Sequence, residues 1–234
     1  MTSIARSTKQ QHISTQTTIK SHTHKHIIMN TIVILDSGHT CDTLGKCSPD
    51  RQIREWEYCQ RLVRHIKSNL EFRGITVHLS HPEPGCLGGS NGGDLDIRVA
   101  RANAIARAAK ADGQRAIFVS VHLNASNSSD RWDSASGFMP FVGTRAGSSS
   151  RQLAQIYQKH SDRLGLRGNR WVPPMRYHTA NFYVLNTTNC PAVLTENLFM
   201  TNRHDAAFLL SAAGFDTLVR LHTEAITEYV EAAT

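Results

Sequence analysis

The segment from Thr31 to His39 constrains the fold most strongly, because its character changes from apolar to polar within a few residues. Thr31–Leu35 is β-branched or apolar throughout, which is typical of a strand buried on both faces. The polar residues Asp36–His39 follow at once, and Gly38 allows the backbone to turn. Open α/β sheets hold their ligands at the C-terminal ends of the strands. The pattern therefore predicts that His39 projects into a binding site.

The chain repeats this arrangement in the segment Ala116–Ala125, where a second apolar run ends at His122. Between the two histidines, the start of an amphipathic helix carries the carboxylates Glu55 and Glu57. Two imidazoles and one carboxylate from distant elements are the ligand set of a catalytic zinc site, in which one position stays open for water. We therefore predict one zinc ion per chain. The two carboxylates point to different faces of a helix, so only one of them can bind it.

Strand and helix patterns alternate along the chain, which predicts an α/β fold with a single catalytic domain. The sheet is expected to be largely parallel and twisted, with helices on both faces. Pro140 has no N–H for a strand ladder, so its strand is expected at a sheet edge. His78 and His81 are expected at the surface. The expected strands are Thr31–Leu35, Ile75–Ser80, the run ending at His122, Gly137–Val142, Asn181–Asn186 and Pro191–Thr195, and the expected helices are one ending near Phe72, Leu95–Ala111, Ser148–Leu164 and Gly214–Ala232.

Length and composition indicate one globular domain and a tail, since the 234 residues are 40% hydrophobic and 19% charged. Residues 1–30 are rich in polar side chains and predict a flexible tail, which precedes a catalytic domain at residues 31–234. No run reaches the roughly 18 apolar residues of a membrane span. No apolar core of a secretory signal follows Met1. We therefore expect a monomer made in the cytoplasm that reaches any outside target by another route.

The charge and the cysteines bear on partners and compartment. The five cysteines are odd in number and form no C-x-x-C pair, which predicts free thiols in a reducing compartment. The formal net charge of +7 favours an anionic partner. Because this charge is spread along the chain without an arginine-rich block, nucleic acid is not the expected partner. The acidic bacterial cell wall fits the charge.

Five short motifs together resemble the zinc-dependent N-acetylmuramoyl-L-alanine amidases of type 3. The resemblance extends from Ile32 to about Leu210 and implies hydrolysis of the amide between N-acetylmuramic acid and L-alanine in peptidoglycan. A compact enzyme of this kind without a signal peptide also resembles a phage lysis enzyme, or a bacterial amidase that other machinery delivers to the wall, and the first is preferred. The motifs, in chain order, are Leu35–His39, Glu55 at a helix start, Arg98–Asn103, Ser120–Ala125 and Pro191–Asn202.

By this resemblance, His39, Glu55 and His122 are the zinc ligands, and Glu196 is the catalytic carboxylate. Glu55 is preferred to Glu57 because its distance from the helix end matches the family. Glu57 is then expected to be a solvated charge.

Two features depart from the family pattern. Thr40 and Cys41 follow the first histidine, where the family usually has a second glycine. Trp56 follows Glu55, where the family commonly has lysine.

Three further residues are expected to support the site or to contact substrate. Asn124 follows His122 by two residues on the same strand, so both side chains leave the sheet on one side. Arg98 and Asn103 lie on one helix, where they could orient the site or anchor the sheet.

Two other functions compete with amide hydrolysis. A peptidoglycan-binding or virion structural module could keep the fold and the metal without catalysis. Such a module has no need of Glu196 as a base, which favours the enzyme. A basic nucleic-acid-associated protein would show strongly salt-dependent DNA binding.

Overall fold

A computed structural model of the chain describes residues 30–83, 86–87, 93–126 and 130–232. Its centre is a six-stranded sheet with the order β2-β1-β3-β6-β4-β5. All neighbouring strands are parallel except β4 and β6, which are antiparallel. The strands are β1 (Thr31–Ser37), β2 (Val77–Leu79), β3 (Arg115–Asn124), β4 (Met139–Gly143), β5 (His178–Ala180) and β6 (Ala192–Phe199), and the helices are α1 (Glu55–Phe72), α2 (Gly93–Ala111), α3 (Ser148–Arg163), α4 (Tyr183–Thr187), α5 (Arg203–Leu210) and α6 (Ala212–Ala232).

The sheet is covered by helices on both faces because its central strands are apolar on both sides. In β1, Val33 and Leu35 join the core formed with α1, α3 and α6. Ile32 and Ile34 point the other way, into a smaller core formed with α2 and α4. Successive strand residues face opposite sides of a sheet, so a continuous apolar run requires this sandwich. The predicted α/β single-domain fold is confirmed.

The first half of the chain follows the predicted elements closely, and the second half departs from them. Strand β4 is not at the edge, since it lies between β6 and the short strand β5. The prediction failed because three-residue β5 lies in a segment that carries only loop signals. The expected strand Asn181–Asn186 is instead helix α4, since short apolar runs do not distinguish strand from buried helix. Helix α5 was not predicted, although Asn202 caps it by accepting hydrogen bonds from two backbone amides.

Two predictions about individual side chains were wrong. His81 is buried, with 2% of its surface exposed, and contacts Gln60 of α1. Cys41 and Cys86 form a disulfide, with their Cα atoms 5.0 Å apart. Their segments follow the adjacent parallel strands β1 and β2, which brings the two segments to the same edge of the sheet. The sequence spacing gave no sign of this proximity.

The remaining sequence predictions concern the termini and membranes. The predicted tail lies outside the described residues, apart from Asn30, whose carbonyl accepts a hydrogen bond from the Arg115 amide. Among the residues that the structure describes, no helix has the length and apolarity needed to cross a bilayer.

Candidate metal centre

The topology brings His39, Glu55 and His122 together. Strands β1 and β3 are parallel neighbours, with Ser37 opposite Val121, so the histidines that follow these positions emerge at one edge. Helix α1 begins at Glu55 and presents its carboxylate to both rings. Glu55 Oε1 lies 3.1 Å from His122 Nδ1, and Oε2 lies 3.4 Å from His39 Nε2. One ligand atom from each of the three residues lies within 4.8 Å of the others.

The backbone around the two histidines is shaped for this contact. His39 has a φ of 60°, in the left-handed region that a non-glycine residue rarely adopts. Such conformations cluster at functional positions, where the surrounding structure holds them. A Cβ on Gly38 would lie 2.5 Å from His122 Nδ1, so any larger residue would collide with the ring. The glycine thus serves both the turn and the close approach of the imidazole.

A hydrogen-bond chain decides which nitrogen of His122 carries the proton. The Ser120 hydroxyl has one hydrogen, which it donates to Asp36 Oδ2 at 2.6 Å. Ser120 Oγ must therefore accept from His122 Nε2, which lies 3.1 Å away. When the ring is neutral, it keeps a lone pair on Nδ1, directed at the Glu55 carboxylate. Two acceptors at 3.1 Å repel unless a cation lies between them. In the metal-free chain a proton meets this need, because burial opposes but Glu55 raises the pKa of His122, and a metal ion would take the place of that proton.

The charge states of the other two residues also suit a metal. Burial lowers the pKa of His39 to about 4, so its imidazole is neutral near pH 7 and can act as a ligand. Burial opposes ionisation of Glu55, but in the metal-free chain the hydrogen bond from protonated His122 and the positive charge of that ring outweigh it. The pKa of Glu55 consequently lies below its usual value. The Leu123 amide also donates to Glu55 Oε1 at 3.0 Å. Glu57, by contrast, is exposed.

Arg98 supports this chain from α2. Its guanidinium is 1% exposed and lies 2.9 and 3.1 Å from the two oxygens of Asp36. It also donates to the Ser37 carbonyl and to Asp94. Asp36 accepts a further hydrogen bond from Ser80. The network links Arg98 through Asp36 and Ser120 to the His122 ring, so Arg98 reaches the group His39, Glu55 and His122 only through other residues.

Asn103 and Asn124 occupy different surroundings. Asn103 donates to the Thr187 carbonyl and accepts from the Asn189 amide, at 3.0 and 2.7 Å. It therefore anchors the segment before β6 and takes no part in the metal centre. Asn124 borders a largely polar cavity of about 540 Å³ beyond the end of β3. Other residues lining this cavity include Ser126, Asp133, Met139, Asn169, Arg170 and Phe199.

Glu196 lies beside the three-residue group on β6. It is the register partner of His122, and Met139 of β4 pairs with it on the other side. Its Oε2 atom is buried and has no hydrogen-bond partner among the described residues. Burial raises the pKa of Glu196 to about 8, opposed by His122 and reinforced by Glu55. A carboxylate in this state can take up and release a proton near neutral pH.

Sequence reasoning missed two of the residues that support the site. Asp36 and Ser120 stand inside the motifs around His39 and His122 but were given no role. Ser120 precedes His122 by two residues, and period-two spacing on a strand would have placed both side chains on one face. The contact between Asp36 and Ser120 follows only from the pairing of β1 with β3.

The fold and the site together define an α/β protein with a His–Glu–His group at the C-terminal edge of its sheet and a carboxylate beside it. Residues 33–228 match the family model described as N-acetylmuramoyl-L-alanine amidase. This match covers most of the chain. The chain therefore belongs to that family.

Two related proteins are similar in sequence. The endolysin of Bacillus phage SPP1 is 29% identical over 203 residues, which are 86% of this chain and 66% of the endolysin. The amidase LytC of Bacillus subtilis is 34% identical over 122 residues, which are 51% of this chain and 23% of LytC. The chain thus spans less than two thirds of either relative.

Solved structures share the fold. The amidase Ami1 of Mycobacterium smegmatis superimposes with a TM-score of 0.72 at 18% identity, covering 88% of this chain and 99% of that protein. The catalytic domain of CwlV from Bacillus (Paenibacillus) polymyxa gives a TM-score of 0.67 at 24% identity, covering 86% and 98%.

Proposed function

We propose that this protein is a zinc-dependent amidase that hydrolyses the bond between N-acetylmuramic acid and L-alanine in peptidoglycan. The observation that carries the proposal is the half-buried Glu196, whose buried Oε2 atom has no hydrogen-bond partner among the described residues, beside the group His39, Glu55 and His122. Those three residues would hold one zinc ion per chain, since two imidazole nitrogens and one carboxylate form a common catalytic zinc set. Family membership and the phage and bacterial relatives support the substrate.

The residues divide the chemistry between them. When bound, zinc supplies Lewis acidity for an amide carbonyl and lowers the pKa of water towards roughly 7. Glu196 accepts the proton of the attacking water on its carboxylate and then donates it to the departing amide nitrogen. The proton on His122 Nε2 is held by Ser120 and Asp36, which keeps Nδ1 free as a ligand atom. These hydrogen bonds hold the His122 ring in one orientation during the reaction.

The proposal is tested with purified peptidoglycan, with and without a chelator, and mass analysis of the products. Release of L-alanine-ended peptides that stops on chelation and returns with zinc is expected. In parallel, metal content is measured for His39→Ala and for Glu57→Ala, an exposed carboxylate two residues from Glu55. The first variant should lose zinc and activity, and the second should keep both. Full zinc occupancy in His39→Ala would contradict the ligand assignment.

The competing function is a wall-binding module without catalysis. A buried oxygen without a hydrogen-bond partner destabilises the fold, and a module that only binds the wall does not need one at this position. The Glu196 oxygen therefore favours the enzyme. Wall binding without any amide cleavage would establish the module instead.

A phage lysis role is a narrower proposal within the amidase function. The similarity to the SPP1 endolysin over 86% of the chain supports it. Clearing of a suspension of bacterial walls by the purified chain is the expected result.

A further inference from the structure

Strand β6 contains an irregularity immediately after Glu196. His122 lies opposite Glu196, but Asn124 lies opposite Phe199, so β6 has one residue more than β3 over this interval. The additional residue is accommodated at Leu198, whose φ is 67°. A leucine in the left-handed region is strained, and a β-bulge of this kind redirects the neighbouring side chains. The direction of the Glu196 carboxylate therefore depends on what holds the bulge.

Asn197 holds the bulge from the opposite face of the sheet. Because successive strand residues alternate, Glu196 faces the metal centre while Asn197 points into the core under α3 and α6. Asn197 is fully buried and donates from Nδ2 to the His122 carbonyl at 2.9 Å and to Thr195 Oγ1 at 3.1 Å. One amide group thus connects the bulge to the backbone of a predicted metal ligand.

His222 of α6 fixes Asn197 in turn. Its Nε2 lies 2.9 Å from Asn197 Oδ1, and its Nδ1 lies 2.9 Å from the Tyr157 hydroxyl of α3. Since Nδ2 of Asn197 is the donor to His122, its Oδ1 must accept from His222 Nε2–H, and Nδ1 then accepts from Tyr157. Burial lowers the pKa of His222 to about 3, in keeping with a neutral ring. Every polar atom of this ring has a partner.

We propose that Asn197 and His222 are positioning residues, which set the direction of the Glu196 carboxylate through the bulge and the His122 carbonyl. The inference rests on the proposed function, since Glu196 is taken as its proton-transfer group. Neither side chain contacts a predicted ligand atom, since Asn197 meets His122 only at its backbone carbonyl. Apolar packing alone would fill the same space but would leave the His122 carbonyl without the Asn197 amide.

The test separates positioning from general stability by comparing variants of His222. His222→Leu removes both hydrogen bonds, whereas His222→Gln offers an amide donor to Asn197 and an oxygen to Tyr157. His160→Gln is the matched control, because His160 is also buried between α3 and α6 but binds Glu228 instead of a strand. For each variant kcat, KM, zinc content and thermal stability are measured, with the assays run well below the midpoint of unfolding.

His222→Leu should lower kcat about 10- to 100-fold, the usual effect of removing a supporting partner, with KM and zinc content unchanged. His222→Gln should recover most of kcat, and His160→Gln should match wild type. An unchanged kcat in His222→Leu would overturn the proposal, as would an equal loss in His160→Gln. If His222→Leu does not fold, Asn197→Asp replaces it, since this variant keeps the acceptor for His222 and loses the donor to His122. It is expected to lower kcat to a similar degree, and a wild-type kcat would overturn the proposal.

Hydrogen exchange gives a readout that does not need activity. Amides at residues 196–199 should exchange faster in His222→Leu than in wild type, while those at residues 32–35 of β1 should not change. If wild type shows no amide cleavage but this local exchange difference appears, the proposed function fails and the network stands. If wild type cleaves peptidoglycan and the exchange difference is absent, the network fails alone.

Discussion

Two buried polar networks meet at His122 from opposite faces of the sheet, and they differ in charge. On the α2 face, Arg98 and Asp36 form an ion pair that reaches the ring of His122 through Ser120. On the α6 face, the neutral side chains Tyr157, His222 and Asn197 reach the backbone carbonyl of His122. The charged network controls the proton on the ring, and the neutral one controls the course of the strand.

The difference shows how the same residue can be fixed in two independent respects. A buried ion pair is costly to break, because the remaining charge loses its partner in a region without water. When a neutral network is disturbed, only hydrogen bonds are lost, so the free energy of unfolding falls by less. We therefore expect the α2 side to dominate stability and the α6 side to show its effect mainly in turnover.

The largest expected effect concerns Glu196, the residue that both networks flank. Glu196→Gln keeps the volume and removes the proton acceptor, so turnover should fall by about 10²–10⁴. Zinc content, thermal stability and binding to peptidoglycan should stay near wild type. Loss of zinc in this variant would instead make Glu196 a ligand, and both networks would then have to be reassigned.

The next largest effect is on stability, and it compares the buried ion pair of the charged network with an exposed ion pair. Arg98→Met leaves Asp36 unpaired, which should lower the free energy of unfolding by about 3–5 kcal/mol. Arg101→Met is the matched control on the same helix, since its pair with Glu83 is exposed and is worth at most about 1 kcal/mol. Urea denaturation measures both. Equal losses in the two variants would remove the distinction between the networks.

A third prediction uses pH to isolate the neutral network. The pKa of His222 is lowered from 6.5 to about 3 in the folded chain, so the unfolded chain takes up a proton in this window that the folded chain does not. The stability that neutral His222 contributes is complete above pH 6.5 and is lost as pH falls towards 3. The steepest loss from this group is about 1.4 kcal/mol per pH unit.

His222→Gln serves as the comparison for this pH dependence, because glutamine takes up no proton in this window. The difference in free energy of unfolding between wild type and His222→Gln should shift in favour of the variant as pH falls from 7 to 4. Urea titrations in chelator at several pH values measure it. Parallel pH profiles would show that His222 does not stay neutral in the folded chain.

The smallest expected effect lies outside both networks. Asn103→Ala removes two hydrogen bonds to the segment before β6, which should cost about 1–2 kcal/mol of stability. Turnover should not change, because neither network contains Asn103. A reduced kcat at full folding would mean that this segment also positions Glu196.

The first half of the sheet was predictable because its signals are local. The apolar runs of β1 and β3 fix two buried strands, and parallel neighbours bring the histidines at their ends to one edge. The amphipathic pattern of α1 places a carboxylate at its start. Weaker local signals failed: β5 has three residues, and α4 is an apolar run too short to show a period.

The amino-acid sequence by itself determined the α/β alternation and the residue types available for a metal, because periodicity and burial are properties of each segment. Tertiary structure alone decided the pairing of Cys41 with Cys86 and the approach of His222 to Asn197. These contacts join positions 45 and 25 residues apart, where no local pattern records which side chains meet. The tertiary structure also decided the bulge at Leu198, since a leucine adopts a φ of 67° only when the surrounding contacts offset the strain.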